Sequence, residues 1–478
     1  MTTPAIIQGG MGVAVSNWRL ARAVSQEAQL GVVSASLLAV VQARLLQQGD
    51  PGGHLRRAFA HFPLPGIVKQ VLADYFVPGG IPKDQPFRPV PMPSVQRNPR
   101  LEGLTVLSNF AEVFLAKEGH RGQVGINLLE KIKLPTLPSL YGAMLAGVDV
   151  VLMGAGVPRE IPGALDQLAA GEAAELKLHV EDRPVDQPPV ITRFDPQALW
   201  ERVAPKLPRP RFFAIISSAT LALTLARKST GVVDGFVVEA PNAGGHNAPP
   251  RASHTLSESG EPIYGPRDAV DFPRIRSLGL PFWLAGGASR PGKLAEARAI
   301  GAAGVQVGTA FALCDESGIV PELKRRVREW ICAGLAHVRT DPLASPTGFP
   351  FKMAQLSQTL SDAAAYARRL RRCDLGYLRS LFQREDGTVG YRCPAEAPEA
   401  FVRKGGDIAE TTGRQCLCNG LAATVGLGQV LPDGSSELPI LTAGDELREL
   451  GRFFDLSRES FTVRDVLNVL LGNAPALT

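Results

Sequence analysis

A chain of 478 residues is long for one ordinary domain and corresponds to about three domains or to one barrel with attachments. Apolar residues make up 45% and charged residues 20%, enough to bury a large core, and 49 glycines with 39 prolines stop short of a disordered composition. Lys+Arg exceed Asp+Glu by only 51 − 46 = 5, spread without basic blocks, which argues against nucleic acid as the main partner.

The amino terminus, Met1 to Gln8, has no charged region followed by an apolar run, so no secretory signal is read there. Eight short apolar runs then alternate with amphipathic stretches. They are Ala5–Gln8, Leu30–Ser34, Gln123–Leu128, Val148–Met153, Phe212–Ser217, Gly235–Glu239, Phe282–Ala285 and Val305–Val307. Most are near-continuous Val, Ile, Leu and Phe, the mark of parallel strands buried on both faces. Asn17–Gln26 and Pro291–Ile300 suit crossover helices. The fold class expected is α/β, a TIM-like (β/α)8 barrel over residues 1–316, although a doubly wound open sheet gives a similar pattern.

Two proline-rich insertions interrupt the alternation. The first, 49–100, carries ten prolines and the second, 181–210, carries seven. Proline removes a donor and restricts its predecessor, so both are expected to be loops or ordered excursions from the barrel. Residues 317–478 form a smaller, mainly helical C-terminal domain that covers the substrate, with helices at Glu322–Leu335 and Met353–Arg372. A looser Gly-rich region, 376–451, follows. Thr462-Val-Arg-Asp465 resembles a capping box that opens a last helix. Its apolar stripe, Val463, Val466, Leu467, Leu470 and Leu471, should pack back on the barrel. The uncharged stretch 212–226 is short for a membrane span and contains four hydroxyl side chains. Six cysteines in so long a chain make no disulfide scaffold, so a cytoplasmic protein is expected.

In a parallel barrel the chemistry lies where strands end. Strand seven ends in Leu284-Ala-Gly-Gly-Ala-Ser289 and strand eight in Val307-Gly-Thr309. Gly286, Gly287 and Gly308 let backbone N–H groups approach a phosphate with no Cβ in the way, and Thr309 adds a hydroxyl donor. Plain turn chemistry is the competing reading. Strand six ends in Glu239-Ala-Pro-Asn-Ala-Gly-Gly-His246, where Gly245 lets backbone run close to a ligand and His246 presents an imidazole suited to moving protons. His54, His61, His120, His179, His254 and His337 are expected to be surface or structural. Gly9 and Gly10, beside Met11, could let a flat ring lie on the backbone, and Asn127 offers an amide donor and acceptor. Cys373, Cys393, Cys416 and Cys418 could bind zinc or an iron–sulfur cluster, but their spacing matches no usual ribbon or ferredoxin pattern. Buried free thiols are the alternative. The chain lacks the P-loop, G-x-G-x-x-G, H-E-x-x-H and G-x-S-x-G motifs, which removes the usual supports for nucleotide hydrolysis, Rossmann NAD binding, zinc proteolysis and α/β-hydrolase chemistry.

Ile6-Ile-Gln-Gly-Gly-Met-Gly12, Val124-Gly-Ile-Asn127, Gly235 to His246, Leu284-Ala-Gly-Gly287 and Gln306-Val-Gly-Thr309 together resemble the nitronate monooxygenase family. The likeness covers about residues 4–316 and extends weakly to Thr340–Lys352. It implies a barrel binding FMN without a covalent bond. Gly9, Gly10, Met11 and Asn127 would lie at the isoalloxazine and ribityl chain, and Gly286, Gly287, Gly308 and Thr309 at the phosphate. His246 would be the catalytic histidine that handles the substrate proton. The activity implied is one-electron oxidation of an alkyl nitronate by FMN, with O2 completing breakdown to a carbonyl compound and nitrite. The family commonly has Glu-Ala-Gly-Gly-His where this chain has Asn242-Ala-Gly-Gly-His246. The same motifs resemble flavin-dependent enoyl-[acyl-carrier-protein] reductases, which would add NAD(P)H as a transient reductant and acyl carrier protein as a partner. A non-redox phosphate-binding barrel enzyme and a non-catalytic binding subunit are the remaining readings.

Overall fold

All eight apolar runs form strands in the computed structural model, which describes residues 3–251, 255–454 and 459–473. His254 lies outside the described residues. The strands are β1 (Ile6–Gln8), β2 (Gly31–Ser34), β3 (Val124–Leu129) and β4 (Val150–Gly154), then β5 (Arg211–Ile216), β6 (Gly235–Glu239), β7 (Phe282–Ala285) and β8 (Gly304–Val307). Their order is β1-β8-β7-β6-β5-β4-β3-β2, with every neighbouring pair parallel. A parallel bridge between Ile7 and Leu30 and two hydrogen bonds, Gln8 N–H to Leu30 O and Leu30 N–H to Ile6 O, bring β1 to the start of β2. The sheet therefore curls into a TIM-like barrel, and the doubly wound open sheet is excluded.

Alternation along the strands fills both faces. Ile7, Val32, Val150, Leu152, Phe213, Val237, Trp283 and Ala285 form one inner cluster, while Val151, Met153 and Phe236 point outward beneath the helices. The Trp283 and Phe213 rings stack at 4.8 Å inside the barrel, and the indole N–H donates to Pro4 O at 2.9 Å. Helix α1 (Trp18–Gln26) starts at Asn17, whose side chain accepts from Leu20 N–H. Helix α2 (Leu38–Gln47) follows β2, and helix α3 (Pro99–Lys117) packs closely on α4 (Thr136–Leu145).

The first insertion contains helices His54–Phe59 and Pro65–Tyr75 before an irregular stretch. The second contributes Ile191–Phe194, antiparallel to Ala174–Lys177. The C-terminal region holds more strand than the sequence suggested. Met353–Arg372 is not one helix. It begins as a strand, Phe351–Ala354, paired antiparallel with Val338–Asp341, and only Ala363–Arg368 is helical. Phe351, Met353 and Ala354 are fully buried, and their edge partners outweigh a helical pattern that had no cap at its start. Ser380–Gln383 and Val389–Arg392 form a further antiparallel pair, which Val180–Glu181 joins in parallel.

The final helix α6 (Val463–Leu471) is capped as expected, with Asp465 Oδ2 accepting from the N–H and hydroxyl of Thr462 at 2.8 Å each. It packs on α1, on Lys293–Ala299 and on α5 (Thr309–Leu313). Val463, Val466, Leu467 and Leu470 are buried there, whereas Leu471 is exposed. Among the described residues no helix is long and apolar enough to cross a membrane.

Candidate active site

The residues at the C-terminal ends of the barrel strands converge on one cavity of about 220 Å³. Gly9, Gly10, Met11, Asn127, Gly245, His246, Gly286, Gly287, Gly308 and Thr309 all line it. Its roof comes from the C-terminal region through Phe351, Leu378, Leu417, Cys418, Leu421 and Glu446.

The loop after β1 is held by side chains that the sequence did not single out. Gln8 and Ser16 are fully buried, and Ser16 Oγ receives Met11 N–H and donates to Gly9 O, each at 2.8 Å. Gln8 donates to Ser16 Oγ and accepts Val32 N–H at 2.9 Å. Gly10 then passes so near Asn127 that a Cβ on it would stand 2.2 Å from the Asn127 Cβ. Gly286 and Gly287 turn with φ of +93° and +59°, a region that favours glycine. The Asn242 amide rests on both.

His246 is placed by a chain segment a hundred residues away. Gly245–His246 pairs antiparallel with the C-terminal strand, Gly245 opposite Lys352 and His246 opposite Phe351. The imidazole meets the Phe351 ring edge-on at 4.9 Å, and its Nε2 is 2.8 Å from Ser345 Oγ. Ser345 Oγ also meets Thr347 Oγ1 at 2.8 Å, while Arg414 holds the Ser345 carbonyl at 2.5 Å. Nδ1 carries no hydrogen bond among the described residues. Burial lowers the His246 pKa to about 4, so the ring is neutral at physiological pH. The sequence pointed to the histidine but not to Ser345; the only available signal was the weak family likeness across Thr340–Lys352.

Glu239 is the second titratable group that the sequence reading passed over. It ends β6, lies in register with Ala285 on β7, and lines the same cavity. Burial raises its carboxyl to about 7. Gln306 is in register with Ala285 from the other side and lines the cavity too. The buried Oδ1 of Asn242 and Oε1 of Gln306 have no hydrogen-bond partner among the described residues. Two unsatisfied acceptors beside glycine-lined backbone suit a ligand rich in N–H and hydroxyl donors, which describes a flavin ring and its ribityl chain. Among the described residues no lysine or arginine lines the cavity. A bound phosphate would therefore meet backbone N–H groups and the Thr309 hydroxyl, which already accepts Gly444 N–H at 3.0 Å and keeps its own proton to donate. The residues present fit FMN.

The four C-terminal cysteines are otherwise disposed. Among the described residues no group of three or more His, Cys, Asp or Glu could hold a metal ion. The Cys373 and Cys393 thiols are hydrogen-bonded to each other, which lowers Cys373 and raises Cys393. Burial pushes Cys416 to about 11, and Cys418 faces the cavity.

A family model described as nitronate monooxygenase matches residues 188–340. That segment spans β5 to β8 and includes Gly245, His246, Gly286, Gly287, Gly308 and Thr309; Gly9, Gly10, Met11 and Asn127 precede it. No curated protein matches the chain. Among solved structures, FabK from Thermotoga maritima is 16% identical with a TM-score of 0.49, covering 98% of this chain and 92% of its own. A nitroalkane oxidase from Streptomyces ansochromogenes is 16% identical at a TM-score of 0.44, covering 98% and 95%. The enoyl reductase domain of MlnA from Bacillus amyloliquefaciens is 12% identical at 0.45, covering 98% and 93%.

Proposed function

We propose that this chain, an FMN-dependent oxidoreductase by its nitronate monooxygenase match, oxidises alkyl nitronates with O2 to a carbonyl compound and nitrite. One observation carries the reading: His246 and all the strand-end glycines expected at a flavin line a single cavity. Gly9, Gly10, Met11 and Asn127 would hold the ring and ribityl chain, Gly245 would let the loop run close, and Gly286, Gly287, Gly308 and Thr309 would hold the phosphate. Residues 317–478 act as the cover. Bound FMN would supply the electron acceptor.

His246 is the catalytic residue in this reading. Its neutral ring is ready to take a proton, and the Nε2 contact with Ser345 together with the Phe351 edge leaves one orientation, with Nδ1 free for substrate. Glu239, near 7, holds a proton in the same water-poor cavity and can return it. Leu378, Leu417 and Leu421 exclude water from above.

A second reading, hydride transfer from NAD(P)H to an enoyl thioester, is favoured by the same lining. Among the described residues the cavity offers an anionic nitronate no lysine or arginine, whereas its leucines suit a neutral acyl chain. The deciding experiment adds an alkyl nitronate in air to one sample of purified protein, and NADH or NADPH with an enoyl thioester to another. Nitrite release with nitronate, abolished in His246→Ala while FMN stays bound, is the expected result. Steady nicotinamide consumption without nitrite overturns it in favour of the reductase.

A further inference from the structure

A second cavity, of about 320 Å³, opens beside α2 where the first proline-rich insertion meets the C-terminal region. Three arginines line it, Arg44, Arg88 and Arg372, against one acidic residue, Asp374, which leaves 3 − 1 = +2 charges, with the Arg88 guanidinium donating to Asp74 O at 3.2 Å. The carboxylate is already engaged, because Asp374 pairs with Arg372 at 2.5 Å and accepts Asn419 Nδ2 at 2.7 Å. Arg44 is the most unusual of the three. It is only 3% exposed, gives one hydrogen bond to Leu427 O at 2.5 Å, and lies 5.2 Å from the Phe87 ring. No carboxylate pairs with it among the described residues, and desolvation lowers its pKa to about 10 against the pull of Asp374. Asp374 and Glu437 attract it only from beyond ion-pair distance. A cation held out of water without a direct carboxylate partner is costly, and an anion entering the cavity relieves that cost.

The remaining walls are apolar and firmly built. Val40, Phe87, Val90, Leu375 and Leu431 enclose the charged end. Gln429 clips the insertion to the C-terminal region by accepting Phe87 N–H at 2.8 Å and donating to Phe87 O at 3.1 Å. Guanidinium forks match phosphate oxygens, and a phosphate monoester carries nearly two negative charges at neutral pH. We propose that this cavity is a binding site for a phosphate monoester carried on an apolar stem. The site does not depend on which reaction the chain catalyses. Its lining runs close to that of the active-site cavity along the chain, since Leu37 and Val40 lie one turn apart by α2, and Leu375 precedes Leu378 by three residues.

Calorimetric titration of the FMN-saturated protein with phenyl phosphate, inorganic phosphate and benzyl alcohol tests this. One equivalent of phenyl phosphate should bind, weakening as salt rises, with inorganic phosphate at least tenfold weaker and benzyl alcohol silent. Arg44→Gln should weaken phenyl phosphate tenfold or more. Because that side chain is buried, Arg88→Glu, on an exposed residue, serves as the second variant and should weaken binding at unchanged melting temperature and FMN content. No binding to the native protein overturns the proposal, as does binding that neither variant alters. Inorganic phosphate binding as tightly as phenyl phosphate overturns the organic stem and leaves a site for the free anion.

Discussion

At the scale of single residues, the site separates groups that hold a ligand from groups that act on it. A Cβ on Gly308 would meet only the Met11 thioether, at 3.6 Å and beyond, so Gly308→Val should fold normally yet lose bound FMN. His246→Ala should keep FMN and lose turnover by roughly 10²–10⁴-fold, the usual weight of a general base. Absorbance of the purified variants and a turnover assay separate the two. The pH profile divides the titratable groups further. His246 stays neutral down to about pH 4, so activity should show no acid limb near 6.5. A limb near pH 7 belongs to Glu239 and should vanish in Glu239→Gln. The titratable groups that share a cavity with Glu239 are His246, Cys418 and Glu446 in the main one, with Tyr264, Asp268 and Arg251 around the adjoining one.

At the scale of elements, the barrel was legible because its strands are short apolar runs bounded by glycine and polar punctuation, and burial on both faces leaves that mark on the sequence. The strand-end glycines were legible for the same reason. What sequence periodicity missed depends on partners distant in the chain. Phe351–Ala354 is a strand because Val338–Asp341 and Gly245–His246 flank it, and Ser345 meets His246 only through that pairing. Glu239 was hidden by its ordinary chemistry, since only burial at the barrel mouth makes its carboxyl unusual. Helix contacts follow the same rule of close approach. Gly142 on α4 faces α3 so nearly that a Cβ would lie 2.1 Å from Val106 O. Gly142→Ala should therefore destabilise the protein by about 1–3 kcal/mol, read as a lower melting temperature with FMN per folded molecule unchanged.

At the scale of the whole molecule, buried carboxyls shape stability against pH. Glu112 is buried on α3, where it accepts Trp18 N–H at 2.7 Å, and desolvation raises it to about 7. Glu239 behaves alike. Between pH 4.5 and 7 the folded chain keeps protons that the unfolded chain has released, so stability falls as pH rises through that window. The loss is on the order of 3 kcal/mol for Glu112. Melting temperatures measured from pH 5 to 8 should decline, and Glu112→Gln should flatten the curve. A melting temperature of Glu112→Gln that declines as steeply as the native protein's would remove Glu112 from the account.

The pairing of β1 with β8 also has a consequence for how the molecule is made. Ile6 is synthesised 299 residues before its ladder partner, Val305. At about 5–20 residues per second, roughly 15–60 s of synthesis separates the two. Through that interval the first strand exposes an unsatisfied apolar edge, and the cavity has neither its closing wall nor the roof ending at Glu446. In the proposed reading FMN loading would thus be a late event in the birth of the chain, and a nascent polypeptide stalled before residue 305 would lack the wall that closes its cavity.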